Sequence, residues 1–398
     1  MTRLAGAASG KAAAGIRPRI PAAAGACGAS ATRIATPAKL DIVAEQHAFP
    51  WPPGAATGIG SMPGANPMEA ARIIAGELPD LPHLAELPAR GPGADLTGRA
   101  AALLVDIPVE VTPRGWRIAD RPGRDMRRAR GLLSSDLDAL EEALDGYQGL
   151  LKVQVAGPWT LAATVEQPRS LNPALADPGL VADLATSLAE GVAAHVAEVA
   201  KRVPGATIIV QVDEPALPAV VAGGVPTASG LSRVRPVDEE VLRERLREVL
   251  AAPGRYTAVH CCSRNLPFGI ILSAGADAVS FDASLLRNTD NDELAAAAEA
   301  GAGLLVGALS AFDYPERPGV TPADTARAVA EVWQKTSLPP GDCAAQVVVT
   351  PACGLAGASP AQAREALRWV REAARILPEM MGELALWNWT RRGSGTRS

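Results

Sequence analysis

From residue 56 onward, short apolar runs rich in β-branched residues alternate with longer stretches in which Ala, Leu, Glu and Arg recur at helical spacing. A strand buried on both faces reads as a continuous apolar run and a covering helix as a period near 3.6, so this alternation predicts a parallel sheet built from βα units. The runs are ATGIGS (56–61), LPHLAEL (81–87), LLKVQVAG (150–157), TIIVQVDEP (207–215), YTAVHCC (256–262), DAVSFDAS (277–284), GLLVGAL (303–309) and AQVVVTPACG (345–354). Helices are predicted over 67–77, 178–202, 237–251, 291–300, 321–336 and 360–377. Several open with a cap residue followed by proline, as at Asn66-Pro67, Asp177-Pro178, Thr321-Pro322 and Ser359-Pro360. Between the second and third runs, IPVEVTPRGWRIAD (107–120) predicts a hairpin around Pro113–Gly115.

Eight such units favour a closed (β/α)8 TIM barrel of the α/β class over an open sheet, with the hairpin as an insertion over one end. The barrel is expected over 51–385. It is preceded by a disordered Ala/Gly/Arg-rich extension (1–50) and followed by a polar tail (386–398). In barrels of this kind the chemistry sits at the carboxyl ends of the strands. The polar residues there are Ser61, Glu86, Asp213, Glu214, His260, Cys262, Asp282 and Cys353. Those residue types ligate metals and hold amino acids.

Within VHCC, His260 and Cys262 share one strand face because side chains alternate across a strand, and Cys261 points away. One H-x-C is a weak signal, matched by the alternative of a buried strand end. Cys353, followed by a glycine where the backbone must turn, and Asp282, on the neighbouring strand, complete a set of N, S, O and S donors suited to tetrahedral zinc. Cys343 has no partner in that scheme and is expected to be structural.

Composition narrows the functional classes. The chain of 398 residues is 48% hydrophobic, enough to bury one large core. Its net charge of -5 contains no basic block, which argues against a nucleic-acid or anionic-membrane partner and favours small-molecule chemistry. Five cysteines without a disulfide-framework spacing fit a reducing, cytoplasmic setting. No continuous apolar run approaches the roughly 20 residues that span a bilayer. The first acidic residue is Asp41, and the segment before it, which holds Cys27, is too poor in large apolar groups to order itself.

Six motifs in order then resemble one family. GIGSMPG, VAGPWTL, VQVDEPAL, VHCCS, FDAS and TPACGL are similar to the I-G-S-F-P, T-G-P-V-T, I-Q-[IV]-D-E-P-A-L, H-x-C-Y, I-E-T-S and N-P-D-C-G-L-K segments of the cobalamin-independent methionine synthases. The likeness is to their catalytic C-terminal barrel and the short single-barrel core proteins, over about residues 55 to 380. It implies zinc held by His260, Cys262 and Cys353, with Asp282 standing where the family has glutamate. It also implies that Ser61 receives the homocysteine carboxylate and that Glu86 and Asp213, beside Glu214, hold its ammonium. The implied activity is zinc-dependent S-methylation of homocysteine to methionine, with methyl-tetrahydrofolate or a methyl-corrinoid as donor. Zinc answers a chemical need, because a free alkyl thiol with a pKa near 8.5 is mostly protonated at neutral pH.

The chain departs from the family in two places. GALSAFDYP lacks the histidine that serves proton transfer in G-V-Y-D-I-H-S, and no aromatic follows the GPWT segment to stack on folate, which leaves Trp159 as a replacement or as packing. Two other readings stay open. One is a uroporphyrinogen decarboxylase-like enzyme or corrinoid methyltransferase of the same ancestry, and the other is an inactive barrel that binds zinc or thiols.

Overall fold

Parallel pairing organises the molecule. The computed structural model describes the backbone of residues 49–310 and 321–394 and side chains as far as 384. The expected extension up to residue 48, with Cys27, residues 311–315 of GALSAFDYP, the side chains of the polar tail and its backbone from 395 lie outside these described residues. A six-stranded parallel sheet runs in the order β3 (Gly149–Ala156), β5 (Ala206–Asp213), β6 (Tyr256–Cys261), β7 (Ala278–Asp282), β8 (Gly303–Leu309) and β9 (Val347–Pro351). These are six of the eight expected runs.

The other two, 56–61 and 81–87, close the ring without forming regular ladders. Parallel bridges join Ala56 to Val349, Ser61 to Glu86 and His83 to Lys152. Backbone bonds support them, including Thr57 N to Val349 O at 3.1 Å, Met62 N to Glu86 O at 2.8 Å and Leu84 N to Lys152 O at 2.9 Å. The TIM-barrel-like architecture therefore has a continuous sheet on one side and a bridged seam on the other. The insertion is also present. β1 (Val109–Thr112) and β2 (Gly115–Ile118) pair antiparallel, and β2 continues in parallel onto β4 (Val165–Glu166).

Helix starts follow the capping signals. Asn66 Oδ1 accepts from Met68 N and Glu69 N ahead of helix Pro67–Glu77, and Asp177 Oδ1 accepts from Gly179 N and Leu180 N ahead of Pro178–Arg202. Pro178–Arg202 reaches membrane-spanning length and average apolarity, although Asp183, Glu190 and Glu198 leave it without a continuous apolar run. Among the described residues it is the one helix that does, yet 56% of its apolar window is buried, including Leu184, Leu188 and Val199. Its valines, leucines and alanines raise the hydropathy without a long apolar run, and its apolar face serves the core. The final helix, Pro360–Ser394, runs through Pro378 beyond the expected end at 377.

Strand parity fills the barrel in layers. The floor is apolar: Leu150, Ile209, Ala258, Ala278, Leu305 and Val348 meet Trp51, Ala55 and Leu81 in one cluster. Trp51 closes it, bonding Ala345 O through Nε1 at 3.0 Å and meeting Tyr256 edge-on. Two residues further along five of the six strands the interior turns polar, with Lys152, Gln211, His260, Ser280 and Thr350 all buried, while β8 has Gly307 at that level. Cys261 takes the opposite parity and packs in the outer core between strands and helices. A polar layer above an apolar floor gives the site a rigid, water-poor base.

Candidate functional site

The end of β6 carries His260 and Cys262 on the inward face, and the turn after β9 carries Cys353. Their donor atoms all lie within 4.8 Å of one another, with Cys262 Sγ 3.2 Å from Cys353 Sγ. Two thiolates on one tetrahedral zinc with bonds of about 2.3 Å stand roughly 3.8 Å apart, so the cluster has the dimensions of a metal centre. His260 Nδ1 lies 2.8 Å from Ser280 Oγ, the inward residue paired with it across β6 and β7. Its Nε2 is buried and makes no hydrogen bond among the described residues. A histidine tied at Nδ1 with Nε2 free toward two sulfurs is oriented as a metal-binding imidazole is, by a partner on its other nitrogen. The donor set of nitrogen and two sulfurs also suits zinc.

The sulfurs are electrostatically unequal. The bond from Cys262 and the neighbouring His260 hold the Cys353 thiol down to about 4, while that same contact and burial push Cys262 up. The two thiols thus titrate as a pair, the first proton leaving more readily than from a free thiol and the second less readily. Asp282 ends β7 beside this group but stands outside it. Its Oδ1 accepts from Ser284 N at 2.8 Å and Ser284 Oγ at 2.7 Å, capping the short helical turn 283–285. Asp282 faces a separate cleft with Ser284 and Gly307.

The amino-acid-binding candidates divide. Ser61 and Glu86 are bridge partners on the seam. Ser61 also touches the turn that carries Cys353: its carbonyl accepts from Leu355 N at 2.8 Å, and a Cβ at Gly354 would come within 2.0 Å of Ser61 Oγ. Glycine after Cys353 is what lets that turn approach the serine. Glu86 is buried against Arg99, whose Nε is 3.4 Å from Glu86 Oε1, and Arg99 and Arg90 both pair with Asp136. Asp213 is buried in register with His260 and accepts from Gln211 Nε2 at 2.7 Å. Burial and the nearby Glu86 raise its carboxyl well above the usual range, against the pull of Lys152 and Gln211.

Glu214 does something different. Completely buried, it accepts from Trp159 N at 3.0 Å and from Thr160 N and Oγ1, both at 2.7 Å, at the start of helix Pro158–Thr164. Burial pushes its carboxyl up to about 7 against those three bonds. A Cβ at Gly157 would meet Glu214 Oε1 at 2.2 Å, which explains the glycine of the GPWT motif. Trp159 resolves in favour of packing, being completely buried with Nε1 donating to Leu242 O at 3.1 Å.

Two residues near this site, Ser280 and Lys152, lie outside the motifs, and Gln211 lies inside VQVDEPAL with no role read from it. Lys152 leaves a trace, a charged residue inside the apolar run LLKVQVAG. It is completely buried, donates Nζ to Ile59 O at 2.8 Å, and is held down to about 8 by burial although Asp213 and Glu86 pull it upward.

Comparison with known proteins follows the same geometry. Residues 54–376 match the family model described as the cobalamin-independent synthase, catalytic domain. No curated protein matches. Among solved structures, a B12-independent methionine synthase from Shewanella sp. W3-18-1, in complex with selenomethionine, is 13% identical, with 83% of this chain and 99% of that one covered at a TM-score of 0.52. That likeness establishes the fold. A D-psicose 3-epimerase in the presence of D-fructose is 11% identical, with 61% and 84% covered at a TM-score of 0.30, too distant to carry an argument.

Proposed function

The chain belongs to the cobalamin-independent synthase family through its catalytic domain, and from that membership we propose that it is a zinc-dependent thiol S-methyltransferase converting homocysteine to methionine. The observation that carries the reading is the cluster of His260, Cys262 and Cys353 beside Ser61. Zinc bound by one imidazole and two thiolates supplies a dication that keeps a substrate sulfur deprotonated at neutral pH without quenching its nucleophilicity.

The protein's own residues do the rest. His260, Cys262 and Cys353 would hold the ion, and with three protein donors it would remain able to accept a substrate sulfur. Asp282, with Oδ1 committed to Ser284, acts as a carboxylate near the ion in this reading, not as an obligatory ligand. Ser61 receives the carboxylate of the amino acid, and Glu86 with Asp213 receives its ammonium, fixing the sulfur against the donor methyl group. Such orientation removes part of a bimolecular barrier. Glu214 keeps helix Pro158–Thr164 in place instead of touching substrate. The selenomethionine in the Shewanella structure is the selenium analogue of the product assigned here and supports an amino-acid site in this fold. The donor is methyl-tetrahydrofolate or a methyl-corrinoid, and the free state of Cys261, Cys262, Cys343 and Cys353 supports a cytoplasmic setting.

The test is a transfer assay with zinc-loaded protein, homocysteine, and methyl-tetrahydrofolate or methylcobalamin offered in parallel. Methionine from either donor, lost on chelation and restored by zinc, is expected. No methionine from either donor, together with no homocysteine binding by calorimetry, overturns the reading.

A further inference from the structure

The seam of the barrel is held from inside by side chains. Ile59 O receives Lys152 Nζ at 2.8 Å and Gln211 Nε2 at 3.0 Å, and Leu84 O receives Gln154 Nε2 at 2.6 Å. Carbonyls that a regular ladder would have satisfied thus point into the interior and are met there. The fit is close: a Cβ at Gly60 would lie 2.9 Å from Gln154, and one at Gly58 would lie 2.3 Å from His83. Lys152 joins the most elements. Its backbone bridges His83, donating to Pro82 O and accepting from Leu84 N, both at 2.9 Å, while its side chain crosses to Ile59. Ile59 lies two residues before Ser61, and Glu86 N bonds Gly60 O at 3.2 Å. Gln211 extends the same grip to Asp213, 2.7 Å away.

A buried ammonium is costly unless it is paired and bonded, and this one has the carboxyls of Asp213 and Glu86 as its charged neighbours and the Ile59 carbonyl as its hydrogen-bond acceptor. We propose that Lys152 is a positioning residue for substrate: by gripping the Ile59 carbonyl together with Gln211 it fixes the seam strand that presents Ser61 and its bridge partner Glu86 to the amino-acid end of homocysteine. This rests on the homocysteine reading above. Lys152 touches neither the reacting sulfur nor the metal ligands, so its removal acts on substrate affinity and leaves ion binding intact.

The test compares wild type with Lys152→Met and Lys152→Gln as full-length zinc-loaded proteins. Zinc content should match in all three. Lys152→Met should bind homocysteine at least about tenfold more weakly and raise KM by a similar factor with little change in kcat, a tenfold loss corresponding to about 1.4 kcal/mol. Binding of 2-mercaptoethanol, a thiol without ammonium or carboxylate, should be unchanged. Lys152→Gln keeps a donor without the charge, so partial recovery is expected, and this variant also stands in should the methionine form fail to fold. Hydrogen exchange supplies a readout independent of homocysteine: amides of 57–62 and Glu86 should exchange faster in either variant, with β6 and β9 unaffected. Wild-type homocysteine affinity in a folded variant, or unchanged exchange over 57–62, overturns the proposal. Failure of the wild type itself to bind homocysteine overturns the functional reading instead.

Discussion

Cys262 and Cys353, separated by 91 positions, bring their sulfurs to 3.2 Å at the rim of the barrel, one at the end of β6 and the other in the turn after β9. Cys261 and Cys343 are buried, the first pushed up to about 11 and the second to about 12 by burial. Only a thiolate reacts quickly with alkylating reagents. In chelator-treated protein, maleimide should therefore label Cys353 first, Cys262 only once capping of Cys353 removes the contact that holds its proton, and spare Cys261 and Cys343 until denaturation. Zinc should protect the reactive pair, and peptide mass mapping reads the result. Equal labelling of that pair with and without zinc would remove the metal centre from consideration.

Ser280 orients His260 through Nδ1, and partners of this kind usually contribute ten- to a hundred-fold to metal affinity. Ser280→Ala is expected to weaken zinc binding by about that range in a chelator competition assay. Cys353→Ser should abolish stoichiometric zinc at micromolar concentrations. Asp282→Asn should cost less than about tenfold, since its carboxylate already serves Ser284. A loss as large as that of Cys353→Ser would make Asp282 a full ligand.

Glu214 tests the structural role assigned to it. Glu214→Gln replaces one acceptor oxygen with an NH2 group facing the donors at the start of helix Pro158–Thr164, at an expected cost of about 2 kcal/mol. Gly157→Ala should be at least as damaging, because its Cβ would overlap the carboxylate. Urea unfolding of both variants measures the effect. Wild-type midpoints would return Glu214 to the substrate-binding candidates.

His195, buried in helix Pro178–Arg202, is held neutral to about 4 by burial and by the charge of Arg99. The unfolded ring takes up its proton near 6.5, so between pH 6.5 and 4 the unfolded chain binds a proton that the fold does not. Stability should fall as pH drops through that window, by about 3 kcal/mol from this residue. His195→Gln should flatten the difference in Tm between pH 6.5 and 4 relative to wild type. An unchanged slope would mean that the ring ionises within the fold.

The sequence was most informative where pattern and chemistry coincide. The apolar run YTAVHCC with its alternation fixes which side of β6 His260 and Cys262 occupy, and the cap-proline pairs place helices Pro67–Glu77 and Pro178–Arg202 at their observed limits. The runs at 56–61 and 81–87 read as ordinary strands, because nothing local indicates that their carbonyls will be claimed by Lys152, Gln154 and Gln211 from other strands. Helix Arg124–Ala143 was missed for a similar reason: its charged face dilutes the apolar stripe that packs on the barrel. Glu214 was misplaced by its neighbour. DEP puts two carboxylates at one strand end, and only opposite parity, sending Asp213 inward and Glu214 toward helix Pro158–Thr164, separates their duties.

The half-laddered ring also has a mechanical reading. His260 and Cys262 sit at the end of β6, which is laced on both sides in the continuous six-stranded wall, whereas Cys353 follows the last strand of that wall and Ser61 and Glu86 stand on the portion stitched by isolated bridges. Local opening in proteins begins where few backbone bonds must break together. The stitched portion can therefore open before the laced strands do, and because Leu355 N bonds Ser61 O that opening reaches the turn of Cys353 before it reaches His260 on β6.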